Sequence, residues 1–220
     1  MTRSAIVVAG GYSRRFGDRE KALATLEGIP MLVRVARAVS PAVDELVVNC
    51  RADQRPDFER ALASVNLDAG VRFAIDQRTD EGPVTGLRRA LETATGESAV
   101  VVPCDLPLLE TRFVDRLFDS HRRADTAAVV PRVDGYLQPL CAVYTVSAAL
   151  EACTTTLEAD RYRLFDVLDE LDIAVLEEQR LEEWTEPARL EAIDTPASLQ
   201  RLRERKVETA VPRVTTGLER

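Results

Sequence analysis

Apolar runs and amphipathic stretches alternate along most of this chain. Short segments rich in Val and Ile, at Ala5–Val8, Glu45–Asn49, Val71–Ile75, Ala99–Val102, Thr126–Val130 and Leu140–Tyr144, read as strands. Amphipathic stretches around Pro30–Val39, Pro56–Val65, Val84–Thr93 and Thr111–Arg122 read as helices. The strands lack polar alternation, which predicts a sheet buried on both faces. Alternating β and α segments then predict an α/β fold: a doubly wound, mostly parallel sheet with right-handed crossovers.

After Val130 the pattern becomes less regular. Val133-Asp134-Gly135-Tyr136 reads as a turn between two β runs, a hairpin on the sheet's edge. Helical pieces near Ser147–Cys153 and Tyr162–Leu171 precede a strand at Ile173–Leu176. A last helix is expected from Pro196, just after Thr195, to about Arg205. From Glu208 the chain is polar and aperiodic, so 208–220 is expected to be a disordered tail behind one domain spanning 1–207.

Composition narrows the classes of partner. The chain has 220 residues and a net charge of −8, which argues against a nucleic-acid partner, since phosphate backbones are normally met by a basic face. No run approaches the roughly 18–20 apolar residues that span a bilayer, and Met1-Thr2-Arg3 leads into a strand, so the expectation is a cytoplasmic protein with no membrane partner. Cys50, Cys104, Cys141 and Cys153 form no Cys-x-x-Cys pair, and with one histidine a zinc site has little to build from; they read as small buried thiols. Of 29 basic residues only Lys21 and Lys206 are lysine. A lysine kept inside a glycine-loop segment of so arginine-rich a chain suggests that a compact ammonium is wanted there.

The chemistry gathers where the strands end. In open α/β sheets ligands sit beyond the C-terminal ends of the strands. Here those ends carry Val8-Ala9-Gly10-Gly11, Asn49, Asp76 and Pro103-Cys104-Asp105. Glycines let backbone N–H groups come close to phosphate oxygens. Arg14, Arg15, Arg19 and Lys21 follow in the same connection, and Arg15 and Lys21 can grip a triphosphate while charge builds on the leaving pyrophosphate. Asn49 can read a base or a ribose hydroxyl. A carboxylate beside phosphates requires an intervening cation, so Asp105 suits Mg²⁺; its alternative role is to cap a turn ahead of Pro107. No Walker A sequence occurs, which disfavours ordinary P-loop hydrolysis. Glu81-Gly82-Pro83-Val84-Thr85-Gly86 precedes a helix and permits close approach to a base.

Taken together, these segments closely resemble the nucleotidyltransferase family that makes the guanine dinucleotide form of molybdenum cofactor. The family's Ala-Gly-Gly-x-Ser-x-Arg-Met-Gly and Asp-Lys-Ala are matched by Ala9-Gly10-Gly11-Tyr12-Ser13-Arg14-Arg15-Phe16-Gly17 and Glu20-Lys21-Ala22. Its Gly-Pro-x-x-Gly resembles Gly82–Gly86, and its Pro-Cys-Asp-x-Pro resembles Pro103–Pro107. Its Gln-Pro-Leu β segment resembles Gln138–Tyr144, and its closing Asn-Thr-Pro resembles Asp194-Thr195-Pro196. The resemblance runs in order from about Ala5 to Leu199. It departs at Phe16 for Met, Glu20 for Asp and Asp194 for Asn. A carboxylate at 194 either helps bind metal or caps the last helix, and the reading preferred is the cap.

The resemblance implies a Rossmann-like nucleotidyltransferase fold that transfers GMP from GTP to molybdopterin-type cofactor and releases pyrophosphate. Carried over by position, it implies nucleotide contacts from Val8, Ala9, Gly10, Gly11, Lys21, Asn49, Asp76, Gly82, Pro83 and Asp105, with Asp105 holding Mg²⁺. Arg15, Lys21 and Asp105 are the expected catalytic groups. The part up to about residue 130 would bind nucleotide and the rest the pterin, for which Gln138, Arg161 and Arg163 are candidates, arginine suiting a phosphate and a ring system. Molybdoenzymes or their chaperones are the implied recipients of the product. The alternatives are a cytidylyltransferase for the same cofactor, a guanylyltransferase for a different phosphate acceptor, or a non-catalytic nucleotide-binding module. Ala-Gly-Gly favours guanine, because the cytidylyl relatives tend to read Ala-Ala-Gly.

Overall fold

A computed structural model describes residues 2–17, 20–76 and 82–210. Arg19, Glu81, the side chain of Arg14 and the expected tail from 211 onward lie outside the described part. The strands are β1 (Arg3–Val8), β2 (Thr25–Leu26), β3 (Ile29–Pro30), β4 (Glu45–Arg51), β5 (Gly70–Asp76), β6 (Ser98–Pro103), β7 (Ala128–Val133), β8 (Tyr136–Leu137), β9 (Ala142–Thr145) and β10 (Ile173–Leu176). The helices are α1 (Met31–Val39), α2 (Arg55–Ala63), α3 (Pro83–Thr93), α4 (Thr111–Ala124), α5 (Val146–Glu158), α6 (Leu164–Leu168), α7 (Glu178–Glu182) and α8 (Pro196–Ala210).

The main sheet has the order β10-β7-β9-β6-β1-β4-β5, with β8 paired to β7. All neighbours along this path are parallel except at β9, which runs antiparallel to both β6 and β7. Residues of β1 alternate between two cores, as a pleated strand requires. Ala5 and Val7 join α1 and α4 on one face, with Leu32, Val35, Phe113 and Leu117 fully buried, while Ile6 joins α3 and α5 on the other, against Leu87, Leu91 and Cys153. Helices on both faces bury these strands from two sides, which is why they are Val-rich and lack polar alternation. A third cluster ties α8 to the glycine-loop region through Phe16, Leu26, Met31, Ile193, Leu199 and Leu202.

Four expectations need correction. The Asp134–Gly135 turn does form a hairpin, with φ of 50° and 78° at the two residues, but it joins β7 to the two-residue β8. The run expected as its second arm becomes β9 and inserts between β6 and β7. The helix expected over Tyr162–Leu171 shrinks to α6, because Asp166 Oδ2 accepts the Arg163 N–H at 3.1 Å and fixes the start there. α5 is longer than expected, and α8 continues to Ala210, three residues into the stretch read as aperiodic. The four cysteines are free and buried, as expected.

Candidate active site

The sheet register brings the predicted strand ends to one rim. Val8 lies beside Asn49 on β4 and Pro103 on β6, and Arg51 lies beside Asp76. Beyond β1 the Ala9 N–H donates to the Asn49 carbonyl at 2.9 Å, and the Cys104 N–H donates to the Val8 carbonyl at 3.1 Å. The glycine loop and the Asp105 loop therefore leave the sheet side by side.

Lys21 opens a short helical turn and reaches across to that rim. Its Nζ donates to Asp105 Oδ2 at 2.5 Å and to Asp194 Oδ1 at 3.1 Å, and Arg15, largely exposed, lies 3.6 Å from Asp194 Oδ2. Burial raises the Asp105 carboxyl above its ordinary pKa, and Asp194's charge adds to this, whereas the Lys21 ammonium only partly offsets it. For Lys21 burial alone would act downward; the charge and hydrogen bond of Asp105 outweigh it, so the amine is held above its ordinary value and stays charged. Asp105 Oδ1 is buried with no hydrogen-bond partner among the described residues. An orphaned carboxylate oxygen at this depth is costly unless a cation or water reaches it.

A second group lies next to it. Asn49 Nδ2 donates to Asp76 Oδ1 at 2.7 Å and to the Ala74 carbonyl at 3.3 Å. Gly10 and Gly86 make room for this pair: a Cβ on Gly10 would lie 2.4 Å from Asp76 Oδ2, and one on Gly86 would lie 2.9 Å from Asn49 Oδ1. Gly82, at φ 82°, leads into Pro83 at the first turn of α3, one helical turn before Gly86.

The loop itself is gripped from behind by residues whose role the residue pattern did not signal. Arg51 Nη1 donates to the carbonyls of Gly10 (3.1 Å) and Gly11 (2.7 Å), and Gln54 Nε2 donates to that of Ala9 (3.2 Å). Gln54 Nε2 also donates to Glu20 Oε2 at 2.8 Å. Ser13 Oγ donates to Glu20 Oε1 and accepts the Lys21 N–H, both at 3.1 Å. Carbonyl-directed side chains leave no recognisable spacing in a sequence; the only hint was a cation two residues past Asn49.

The preferred cap reading for Asp194 does not hold. The cap of α8 is Thr195: its Oγ1 accepts the Ser198 N–H at 3.0 Å, and Ser198 Oγ accepts the Thr195 N–H at 3.1 Å, a reciprocal capping box. Asp194 is thereby left to face Lys21 and Arg15.

Between β7, the segment before β9 and the turn at Pro187–Leu190 lies a cavity of about 470 Å³. Pro103 and Leu106, on either side of Asp105, form one wall; Gln138 lines it together with Asp134 and Glu191, and the rest is chiefly apolar. Arg161 and Arg163 are not brought there. Arg161 is paired with Glu170, Arg163 begins α6, and Tyr162 between them packs on Gly82.

Known proteins resemble this chain in sequence and in fold. The MobA-like NTP transferase domain family matches residues 5–175. The chain belongs to that family. Among MobA-like relatives, one from Haloferax mediterranei, named "probable molybdenum cofactor guanylyltransferase", is 46% identical over 175 residues, 80% of each chain. One of the same name from Natronomonas pharaonis is 38% identical over 204 residues, covering 92% of this chain and 98% of its own length. A crystal structure of molybdopterin-guanine dinucleotide biosynthesis protein A from Archaeoglobus fulgidus superposes with a TM-score of 0.75, at 23% identity over 93% of this chain and 99% of that one, and shares the fold. The chain is thus an α/β nucleotidyltransferase of the MobA-like family, with a mixed, mostly parallel sheet.

Proposed function

We propose that this protein transfers GMP from GTP to a molybdopterin-type cofactor, giving the guanine dinucleotide cofactor and pyrophosphate. The relatives' names point to this reaction, and one observation carries it at the level of residues: the half-buried Lys21–Asp105 contact at the mouth of a glycine loop. In this reading the loop from Val8 to Gly11 and the start of α3 at Gly82 and Pro83 receive the nucleotide. The Asn49–Asp76 pair reads the base or ribose. Lys21 and Arg15 neutralise the phosphates.

The acceptor's terminal phosphate attacks the α-phosphorus in line, forming a new P–O bond as the bond to pyrophosphate breaks. That phosphate is ionised at neutral pH, so no side chain has to remove a proton. Positioning and charge neutralisation supply the rate gain. The site also suits Mg²⁺, which is commonly held by one or two carboxylates together with substrate phosphates and waters. Asp105 supplies a buried carboxylate oxygen without a partner and Asp194 a second carboxylate nearby, whereas no cluster of three or more His, Cys, Asp or Glu suited to a metal occurs among the described residues. When bound, the ion would offset the charge of the triphosphate. The cavity beside Asp105 is the place for the pterin, with Gln138 against its polar edge; neither Arg161, paired with Glu170, nor Arg163 lines it. No helix of the described part is long and apolar enough to cross a membrane, and four buried free thiols suit the reducing cytoplasm.

The test offers GTP, CTP, ATP and UTP separately with molybdopterin and Mg²⁺ and follows pyrophosphate. Release with GTP is expected. Release with CTP and not GTP would assign a cytidylyltransferase instead.

A further inference from the structure

The carbonyls of Ala9, Gly10 and Gly11 all end on two side chains, Arg51 at the end of β4 and Gln54 just before α2. A trans peptide points its C=O and the following N–H in opposite directions. Fixing these three carbonyls toward Arg51 and Gln54 therefore turns the N–H groups of Gly10, Gly11 and Tyr12 to the other side of the loop. We propose that Arg51 and Gln54 are positioning residues that hold the loop's backbone N–H groups out toward the triphosphate. This rests on the reading that the glycine loop receives the nucleotide's phosphates.

The guanidinium is fully engaged in the task. Nη1 serves both glycine carbonyls, while Nε and Nη2 each donate to Asp53 at 3.1 Å, and Nη2 lies 3.6 Å from Glu20. Its flat face lies 4.7 Å from the Tyr12 ring centroid, so the loop's own aromatic covers the clamp. The planar fork makes four bonds at once, to two carbonyls and to both oxygens of a carboxylate, whereas an ammonium has three donors set about one point. Gln54 extends the grip. Its Oε1 accepts the Arg51 N–H at 2.8 Å, and its amide joins Ala9 to Glu20, whose other oxygen takes the Ser13 hydroxyl that in turn accepts the Lys21 N–H. One chain of hydrogen bonds thus fixes both the start of the loop and the backbone of the lysine that closes it. Two glycines in succession would otherwise be free to rotate, and N–H groups that must first be ordered bind an anion less well than ones already aimed.

Calorimetry of GTP and of guanosine against the wild type, Arg51→Ala and Gln54→Ala tests this. The expected result is a GTP affinity lower by roughly tenfold to a hundredfold in Arg51→Ala and less in Gln54→Ala, with guanosine affinity and melting temperature little changed. A role in stability alone would weaken both ligands together, and that result would overturn the inference. So would an unaltered ratio of GTP to guanosine affinity. Should Arg51→Ala fail to fold, Arg51→Lys keeps the charge and the aliphatic stem; it is expected to show the same selective loss, and full GTP affinity in it would overturn the inference. A wild type that binds no nucleoside triphosphate would instead overturn the reading of the site itself, and this inference with it.

Discussion

Lys21 Nζ lies 2.5 Å from Asp105 Oδ2, although 84 positions separate the two residues in the chain. The contact ties the two most distinctive segments, the glycine loop and Pro-Cys-Asp, into one site.

Replacing Lys21 by Met removes the cation and leaves Asp105 buried beside Asp194. The Asp105 carboxyl, already above its ordinary pKa through burial, should rise further. Turnover measured by pyrophosphate release should fall by roughly 10²–10³, the usual cost of losing one group aimed at developing charge. Asp105→Asn should fall comparably and lose its response to added Mg²⁺. Full turnover in either variant would refute the assignment.

Thr195 and Asp194 should separate cleanly. Thr195→Ala is expected to cost about 1 kcal/mol in chemical denaturation, because it removes the cap of α8. Asp194→Asn should leave stability nearly unchanged and alter the Mg²⁺ dependence of turnover. Equal stability losses in the two would contradict the capping geometry.

Gly10→Ala places a methyl group 2.4 Å from Asp76 Oδ2. A carboxylate at the end of a side chain can swing away, so the protein should fold, but the Asn49–Asp76 hydrogen bond would be broken. Expected is a loss of roughly tenfold in nucleotide affinity, together with weaker discrimination between GTP and ATP in competition. Unchanged affinity would detach this pair from the nucleotide.

At the opposite end of the sheet, Glu45 accepts the Ser4 hydroxyl at 2.6 Å and the Thr95 N–H, with Arg72 at 3.3 Å. Burial alone would raise this carboxyl; the Ser4, Thr95 and Arg72 hydrogen bonds outweigh it and hold its pKa below the ordinary value of 4.5. A carboxylate depressed in the folded state adds stability that is present above its unfolded pKa and lost as pH falls through the folded one. Glu45→Gln should therefore be less stable by about 1–3 kcal/mol at pH 7, with the difference narrowing below about pH 4.5. A difference constant with pH would show that its charge is not involved.

Much of the fold could be read in advance because the first four β–α repeats are locally consistent: Val-rich strands, amphipathic helices and Gly or Pro at the joins. Strand ends then predicted the rim, and Gly10, Asn49, Asp76, Lys21 and Asp105 do meet there. What escaped depends on distance in space. Arg51 and Gln54 act on carbonyls 40 to 45 positions away, which no local pattern encodes. The cap at Asp194 was misjudged because Asp and Thr are both good capping residues and adjacent; only the Thr195–Ser198 reciprocity decides between them. The position of β9 in the sheet was hidden for a similar reason, since apolar alternation fixes a strand's faces but not its neighbours.

The reversal at β9 has one further effect. In an all-parallel sheet only outgoing chain would border the rim, but here the approach to an inverted strand, Gln138 to Cys141, arrives there as well. That approach faces the cavity and, among the described residues, takes no part in the hydrogen bonds that shape the glycine loop. In the proposed reading, the acceptor side of Asp105 is thus built from a stretch separate from the donor side, and changes confined to Gln138–Cys141 would alter which phosphorylated recipient is taken.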